Sequence, residues 1–180
     1  MSEEHSATPL RNYFLTTPRL AFSAWTDNDL PLGTKIWGDP AVTGLLGGPF
    51  SEVAIYNRFR LEIDAMSVHG VQYWLLFLKE TGELVGAAGL RHREADTYEM
   101  GYYILPPAWG CGYATEAGAA VVEYAFGKVG ATGLFGGHHP DNEASGKVLR
   151  KLGFQFTHKE LYPPTGLIHP CYWRKNSNQA

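Results

Sequence analysis

The residues in this sequence whose types and spacing best suit chemistry form a glycine loop, Trp109 to Ala117. Gly110 and Gly112 let the backbone approach a ligand with no Cβ in the way. An apolar run that ends in Pro106 and Pro107 precedes the loop, and a stretch with helical periodicity follows it. Because the free N–H groups of a helix's first turn attract anions, we predict a site for an anion here, most simply a pyrophosphate.

Alternating apolar runs on both sides of this loop predict the elements that position it. Val71 to Leu78, Leu84 to Leu90 and Tyr98 to Leu105 read as an antiparallel meander. After the loop, small apolar residues from Ala114 to Ala125 indicate a helix packed on a sheet. A short strand, Leu134 to His138, follows. A right-handed crossover would make it parallel to the strand before the loop.

The N-terminal part predicts one strand and two helices. The strand begins at Leu15 and is interrupted or bulged around Pro18, because proline cannot donate to a ladder. A short helix capped by Asp27 follows, and the run from Gly44 to Pro49 is a loop. Ser51 caps the second helix. The apolar face of that helix is predicted from its spacing as Tyr56, Phe59, Ile63 and Met66.

The C-terminal part adds one helix and two strands. Asp141 or Asn142 caps the helix, and the strands are Phe154 to Tyr162 and Leu167 to Arg174. The predicted fold class is therefore mixed α/β, with a mostly antiparallel sheet, one central parallel pair and helices on its faces. We expect a flexible leader at 1–13, one domain at 14–174 and a polar tail at 175–180.

Composition narrows the function classes. The chain has 180 residues and a formal charge of -3, from 15 basic and 18 acidic side chains, which gives no electrostatic case for nucleic acid or a membrane surface. No stretch approaches the roughly 20 apolar residues that span a bilayer, and the N-terminus lacks a signal-peptide core, so we expect a cytoplasmic protein. Cys111 and Cys171 lack metal-ligand spacing, and the adjacent His138 and His139 would face opposite ways on a strand. We expect no metal.

Three segments in order carry a family resemblance: Pro107 to Ala117, His139 to Ser145 and Lys151 to Phe154. Together they resemble the GNAT superfamily of acyl-CoA-dependent N-acyltransferases, over roughly residues 14–174. Leu15 to Leu20 and Glu99 to Tyr102 look like its RimJ/RimL-type branch, whose members include ribosomal-protein N-terminal acetyltransferases.

Two loop residues depart from the wider superfamily pattern. Trp109 stands where a Gln or Arg often opens the signature, and Trp is common there in the RimJ/RimL-type branch. Cys111 stands where a basic residue is frequent, which leaves more of the anion binding to backbone N–H groups.

The resemblance implies a GNAT fold and acetyl-CoA as co-substrate. In that fold the parallel strands splay, and the pantetheine arm lies in the gap like an added strand. The resemblance implies backbone contacts from Ile104 and Leu105 to the acetyl-pantetheine, and a contact from Asn142 to the pantetheine or pyrophosphate. The implied pyrophosphate grip consists of Trp109, Gly110, Cys111, Gly112, Tyr113, Ala114 and Thr115.

Acetyl transfer to an amine needs a base for the ammonium proton and benefits from an acid for the thiolate. Glu99, in the position of the glutamate that serves as base in some family members, is the first choice, and His138 or a water chain is the alternative. Ser145, one helical turn after Asn142, is the first choice for the acid, and Tyr162 is the alternative. We expect direct transfer, with no covalent role for Cys111.

The sequence leaves the acceptor open between a protein N-terminus, a small polyamine or amino acid, and an aminoglycoside-like compound. Aromatic side chains on two sides could line an acceptor site that favours a cation. They are Trp25, Trp37, Phe50, Tyr56, Phe59, Tyr162, Tyr172 and Trp173. A catalytically silent acyl-CoA-binding module is the alternative function, and the branch makes a homodimer a candidate assembly.

Overall fold

An eight-stranded sheet organises the protein, seen in a computed structural model that describes residues 11–177. The strands are β1 (Leu15–Thr16), β2 (Leu20–Ser23), β3 (Tyr73–Leu78), β4 (Leu84–His92), β5 (Thr97–Ile104), β6 (Gly133–Gly137), β7 (Gln155–Tyr162) and β8 (Leu167–Lys175). Their spatial order is β1-β2-β3-β4-β5-β6-β8-β7, and every neighbouring pair is antiparallel except β5 and β6. The predicted mixed sheet with one parallel pair is confirmed.

Helices cover both faces of this sheet, also as predicted. They are α1 (Leu30–Trp37), α2 (Pro40–Thr43), α3 (Glu52–His69), α4 (Tyr113–Tyr124) and α5 (Glu143–Lys151), with short 3₁₀ turns at Gly44–Leu46 and Pro106–Ala108 and a π-turn at Ala125–Val129. Alternation along the strands supplies two separate cores. On β3, Tyr73 and Leu75 pack with α1 and α3, whereas Trp74 and Leu76 pack on the side of α4 and α5.

The parallel strands β5 and β6 pair over only three residues each. Thr97–Glu99 of β5 pair with Gly133–Phe135 of β6. Beyond that point β5 continues to Ile104 and β6 to Gly137 without pairing to each other. The two strands therefore separate, and a gap opens in the middle of the sheet.

Several predicted element details were wrong, each for a local reason. Pro18 does not bulge a single strand; the chain reverses there, so β1 and β2 pair with each other as a hairpin. Asp27 is not the cap of α1. Asp29 precedes that helix and accepts hydrogen bonds from Thr26 instead. After α1 ends at Trp37, Asp39 caps the short helix α2, because its side chain accepts from the Ala41 N–H.

The inward face of α3 also differs from the prediction. Ser51 caps α3 as predicted. Its buried residues are Ile55, Phe59 and Glu62, whereas Tyr56 and Met66 are exposed. A buried carboxylate on a core-facing stripe breaks the apolar pattern on which the prediction rested.

Both predicted domain boundaries, at residues 13/14 and 174/175, lie within the described residues, whereas most of the predicted leader and part of the predicted tail do not. Within the predicted leader, residues 1–10 lie outside the described part, and Arg11 is bonded to Ser23 and Asp29. Residues 178–180 of the predicted tail also lie outside it. Among residues 11–177, no helix combines the length and apolarity needed to cross a membrane.

Candidate active site

A cavity of about 1180 Å³ occupies the gap between β5 and β6, and its lining includes residues from both faces of the sheet. Its walls come from β5, the glycine loop, the start of α5, and residues from α3, β4, β7 and β8. The separation of the parallel strands creates this space, because β5 and β6 do not pair with each other beyond Glu99 and Phe135.

The glycine loop forms one end of this cavity. Gly110 and Gly112 have φ values of 75° and 80°, a left-handed conformation that L side chains rarely adopt. A Cβ added at Gly110 would meet nothing within 4 Å, so the space in front of it is open. Within the described chain, the N–H groups from Gly110 to Thr115 donate no hydrogen bond. A row of free donors at the start of α4 is the structure that an anion such as a pyrophosphate needs.

A clamp from the N-terminal hairpin fixes the start of α4. Glu116 accepts hydrogen bonds from the Thr17 hydroxyl at 2.6 Å and the Arg19 N–H at 2.9 Å, and forms an ion pair with the Arg19 guanidinium at 2.6 Å. Arg19 also donates to the Cys111 carbonyl at 2.9 Å and lies over the Tyr113 ring. The clamp therefore fastens the Leu15–Leu20 segment to the glycine loop, although the two are far apart in the sequence.

Backbone hydrogen bonding distinguishes Ile104 from Leu105. The Leu105 N–H donates to Val85 of β4 at 2.9 Å, so it is not free for a ligand. Because backbone groups alternate in direction along a strand, the N–H groups of Tyr102 and Ile104 point away from β4, toward the gap. The Ile104 carbonyl already accepts from the Trp109 indole at 2.7 Å. The Ile104 N–H is thus the free donor at this end of β5.

Glu99 lies at the last paired position of β5, where the gap begins. It shares a face with Gly101 and Tyr103, the face that α3 covers. Its carboxylate is 3.9 Å from the Arg93 guanidinium, and about a third of its side chain is exposed. The geometry leaves this carboxylate open to a molecule in the cavity.

A second polar group closes the opposite side of the gap. The Ser145 hydroxyl lies 2.9 Å from the Tyr102 hydroxyl, so the pair joins α5 to β5. Asn142 caps α5 by accepting from the Ser145 N–H at 3.0 Å, and no described residue accepts from its own Nδ2. Burial raises the pKa of Tyr102 to about 12, so this hydroxyl stays protonated at neutral pH.

The two alternatives to these residues have different surroundings. His138 is buried under Gly146 of α5, and its Nδ1 lies 2.8 Å from the His139 carbonyl. Burial lowers the pKa of His138, and the nearby Arg150 adds to this effect. Tyr162 lines the cavity and stacks on His169, with ring centroids 4.6 Å apart. Among residues 11–177, neither side chain is hydrogen-bonded to Tyr102 or Ser145.

On the α3 side, Tyr73 and Tyr103 line the cavity, and most of the aromatic residues predicted for the acceptor site do not. Of that set, Tyr162 alone lines the cavity within the described residues, whereas Trp25, Trp37 and Phe59 belong to the core. In their place, Tyr73 lies across Gly101, where a Cβ would approach its hydroxyl to 2.6 Å. The glycine allows the Tyr73 hydroxyl to reach the edge of the gap beside Glu99.

Within residues 11–177, one group of side chains could hold a metal ion, which the sequence spacing did not predict. Ligand atoms of His158, Glu160 and Cys171 lie within 4.8 Å of one another, because β7 and β8 pair across the hairpin. Burial, together with Glu160, raises the pKa of the Cys171 thiol to about 11. The thiol is therefore protonated at neutral pH unless a metal displaces its proton.

Sequence reasoning missed Tyr102, the clamp residue Glu116 and the cavity-lining Tyr73. Strand alternation offered one signal: Tyr102 lies on the face opposite Glu99, the face on which a helix after β6 would pack. The 43-residue separation between Tyr102 and Ser145 hides their contact from any local pattern.

The chain is similar to known proteins over most of its length. Residues 19–155 match the family model described as the Acetyltransferase (GNAT) domain. A Bacillus subtilis protein named Uncharacterized N-acetyltransferase YoaA is 38% identical over 149 residues, which cover 78% of this chain and 82% of that protein.

Two solved structures share the fold. The acetyltransferase from Agrobacterium tumefaciens superposes with a TM-score of 0.77 at 24% identity, covering 89% of this chain and 92% of that one. RimL, a ribosomal L7/L12 alpha-N-protein acetyltransferase in complex with coenzyme A, superposes with a TM-score of 0.76 at 16% identity, covering 91% and 98% of the two chains.

Proposed function

Since the chain belongs to the acetyltransferase (GNAT) domain family, we propose that it transfers an acetyl group from acetyl-CoA directly to a primary amine. One observation carries the proposal. The unpaired N–H groups of the glycine loop lie at one end of a gap whose two sides present an open carboxylate, Glu99, and a protonated hydroxyl, Tyr102. Those are the parts that acyl transfer to an amine requires.

The cavity fits acetyl-CoA by the direction of its free donors. The N–H groups from Gly110 to Thr115 would hold the pyrophosphate, and the Asn142 amide would donate to the pantetheine or pyrophosphate. The pantetheine would lie along the unpaired part of β5. When bound, acetyl-CoA supplies the thioester whose carbonyl carbon the amine attacks.

Three steps divide the chemistry among this chain's groups. Glu99 removes a proton from the ammonium, directly or through a water, so that the neutral amine can attack. The Ile104 N–H donates to the oxygen on which negative charge develops. As the C–S bond breaks, the departing thiolate receives a proton from the Tyr102–Ser145 pair, and the second proton of the attacking nitrogen passes to water, which reprotonates the pair. The products are the N-acetylated amine and CoA thiol.

Sequence motifs support three further proposals: the family branch, a homodimer and direct transfer. Trp109 and the Leu15–Leu20 hairpin favour the RimJ/RimL-type branch, and a homodimer is proposed on that ground alone. Cys111 is exposed, and its thiol lies 3.6 Å from the Trp109 carbonyl. Its place in the loop that would grip the pyrophosphate supports direct transfer without an acyl-cysteine.

A thiol-release assay with acetyl-CoA and a panel of primary amines tests this function. We expect release that depends on an amine, intersecting double-reciprocal plots, and no loss of turnover in Cys111→Ser. Tight acetyl-CoA binding without turnover on any amine would instead favour a silent acyl-CoA-binding module. Parallel double-reciprocal plots in the wild type, together with loss of this pattern in Cys111→Ser, would contradict direct transfer.

A further inference from the structure

Three guanidinium groups converge on the wall of the cavity that Glu99 occupies. Arg58 comes from α3, and Arg91 and Arg93 come from β4 and the residue after it. Arg91 lies over the Tyr73 ring at 5.1 Å, and Arg93 lies over the Phe135 ring at 4.1 Å. Aromatic faces thus hold these cations at the cavity while leaving their N–H edges free.

Few of the donors on these groups are used. Arg58 donates to the Tyr103 hydroxyl at 2.6 Å. Among residues 11–177, the side chains of Arg91 and Arg93 donate no hydrogen bond, since their carboxylate neighbours lie 3.7 Å and 3.9 Å away. The planar donors of an arginine match the geometry of a carboxylate or phosphate, so these two partly exposed groups are suited to bind such an anion in the cavity.

The carboxylates on the same wall do not fill these donors. Glu62 is buried between Arg58 and Arg91, and its Oε1 makes no hydrogen bond within the described chain. Burial raises the pKa of Glu62, against the effect of both arginines. Glu160 also lines the cavity but lies at its exposed rim beside His158. A polycation would have to enter between three guanidinium groups, which disfavours polyamines and aminoglycosides.

We propose that Arg91 and Arg93 form a carboxylate subsite, so that the acceptor is an amino acid whose amine lies at Glu99. The inference rests on the proposed function and specifies its substrate class. Because the Arg93 guanidinium is 3.9 Å from Glu99, the amine and the carboxylate of the acceptor must be only a few bonds apart. Free amino acids have this arrangement, whereas a protein N-terminus has its carboxylates on side chains.

Matched acceptors test the subsite in the thiol-release assay. L-amino acids are compared with their C-terminal amides, and 4-aminobutyrate is compared with putrescine. The amine of an amide is less basic and more often neutral, so intrinsic reactivity favours the amide. We expect the acids to have the higher kcat/KM.

Variants assign that preference to the arginines. Arg91→Gln and Arg93→Gln should each lower kcat/KM for the acids by roughly tenfold or more, through KM, and leave the amides within about twofold. Arg60→Gln is the matched control, because Arg60 lies on α3 outside the cavity and pairs with Asp27. Unfolding temperatures of all variants separate loss of the subsite from loss of the fold.

The outcomes separate the inference from the proposed function. Turnover of amides or putrescine equal to that of the acids, with no selective loss in either variant, overturns the subsite but leaves the acetyltransferase intact. Turnover of peptide N-termini alone assigns a protein acceptor and also overturns it. If no amine is acetylated, the function fails, and calorimetric titration of amino acids into the protein with CoA decides the subsite: binding weakened by Arg91→Gln supports it, and absent or unchanged binding overturns it.

Discussion

Single side chains divide the proposed chemistry between the two faces of the sheet. Glu99 faces α3 and the arginines, whereas Tyr102 and Ser145 face α5. The group that would accept the ammonium proton and the group that would protonate the thiolate therefore lie on opposite faces of the sheet at the gap. Each can be removed without disturbing the other, which makes the two roles separately testable.

Removing the carboxylate of Glu99 should slow the reaction without weakening donor binding. In Glu99→Gln we expect kcat to fall by roughly 100-fold or more, since the amine loses its base, with the KM for acetyl-CoA unchanged. Initial rates across a pH series give both values. Glu123→Gln, an exposed site on α4, is the control. An unaltered pH profile in Glu99→Gln would remove this residue from the mechanism.

Removing the Tyr102 hydroxyl should have a smaller effect. Tyr102→Phe should lower kcat by roughly tenfold, because the thiolate is a fair leaving group that one hydrogen bond assists. Since burial raises the pKa of Tyr102 to about 12, the wild-type rate should show no alkaline decline from this group near neutral pH. Tyr98→Phe, on the same strand and face, is the control. Full activity in Tyr102→Phe with a loss in Ser145→Ala would assign the proton to Ser145 alone.

At the scale of elements, the start of α4 depends on the hairpin of β1 and β2. The glycine loop has no side-chain cap, so Glu116 and the Thr17–Arg19 turn hold its position. Burial raises the pKa of Glu116, but the hydrogen bonds from Thr17 and Arg19 outweigh it and lower the pKa overall. A lowered folded-state pKa means that the carboxylate stabilises the fold above its unfolded pKa and loses this effect in acid.

Glu116→Gln should therefore reduce both stability and donor affinity at neutral pH. We expect a loss of about 1 kcal/mol in the free energy of unfolding, and a higher KM for acetyl-CoA because the loop is less fixed. The stability difference should shrink as pH falls through the folded-state pKa of Glu116. Urea unfolding at neutral and acid pH measures it, with Glu123→Gln as the control on the same helix. A difference that stays constant into acid would exclude the ionic clamp.

The sequence predicted those elements whose signals are local. The two glycines, the Ser51 cap and the Asn142 cap each depend on residues within one turn, and all three features lie where expected. Contacts between distant residues could not be read this way. Arg58 meets Tyr103 across 45 residues, and only the packing of α3 on β5 brings them together. The arginines that line the cavity were missed for that reason, and buried Glu62 was missed because the helix pattern predicts an apolar residue on that face.

Gly101 of β5 should control binding of the amine acceptor. In Gly101→Ala the new Cβ would lie 2.6 Å from the Tyr73 hydroxyl and displace that ring. We expect kcat/KM for the amine to fall by roughly tenfold or more, with a smaller change for acetyl-CoA. Gly127→Ala, where a Cβ meets nothing within 4 Å, is the control. Equal losses for both substrates would show that the change acts through stability.

At the scale of the whole molecule, the sheet consists of two parts with a narrow junction. β1–β5 form one part and β6, β8 and β7 the other, and three residue pairs between β5 and β6 join them. Beyond those pairs, the backbone groups of β5 that point into the gap have no strand partner. A ligand that pairs with them would act as a missing strand and hold the two parts together.

Acetyl-CoA should therefore stabilise the molecule at the junction as well as at the glycine loop. At 100 times its Kd we expect the unfolding temperature to rise by about 5–10 °C. Hydrogen exchange should slow in residues 100–104 of β5 and 136–137 of β6 as well as at the start of α4. ADP, which carries the pyrophosphate without the pantetheine, is the control and should protect α4 alone. Protection by acetyl-CoA confined to α4 would mean that the pantetheine does not lie between the strands, because only a ligand in the gap can supply their missing hydrogen bonds.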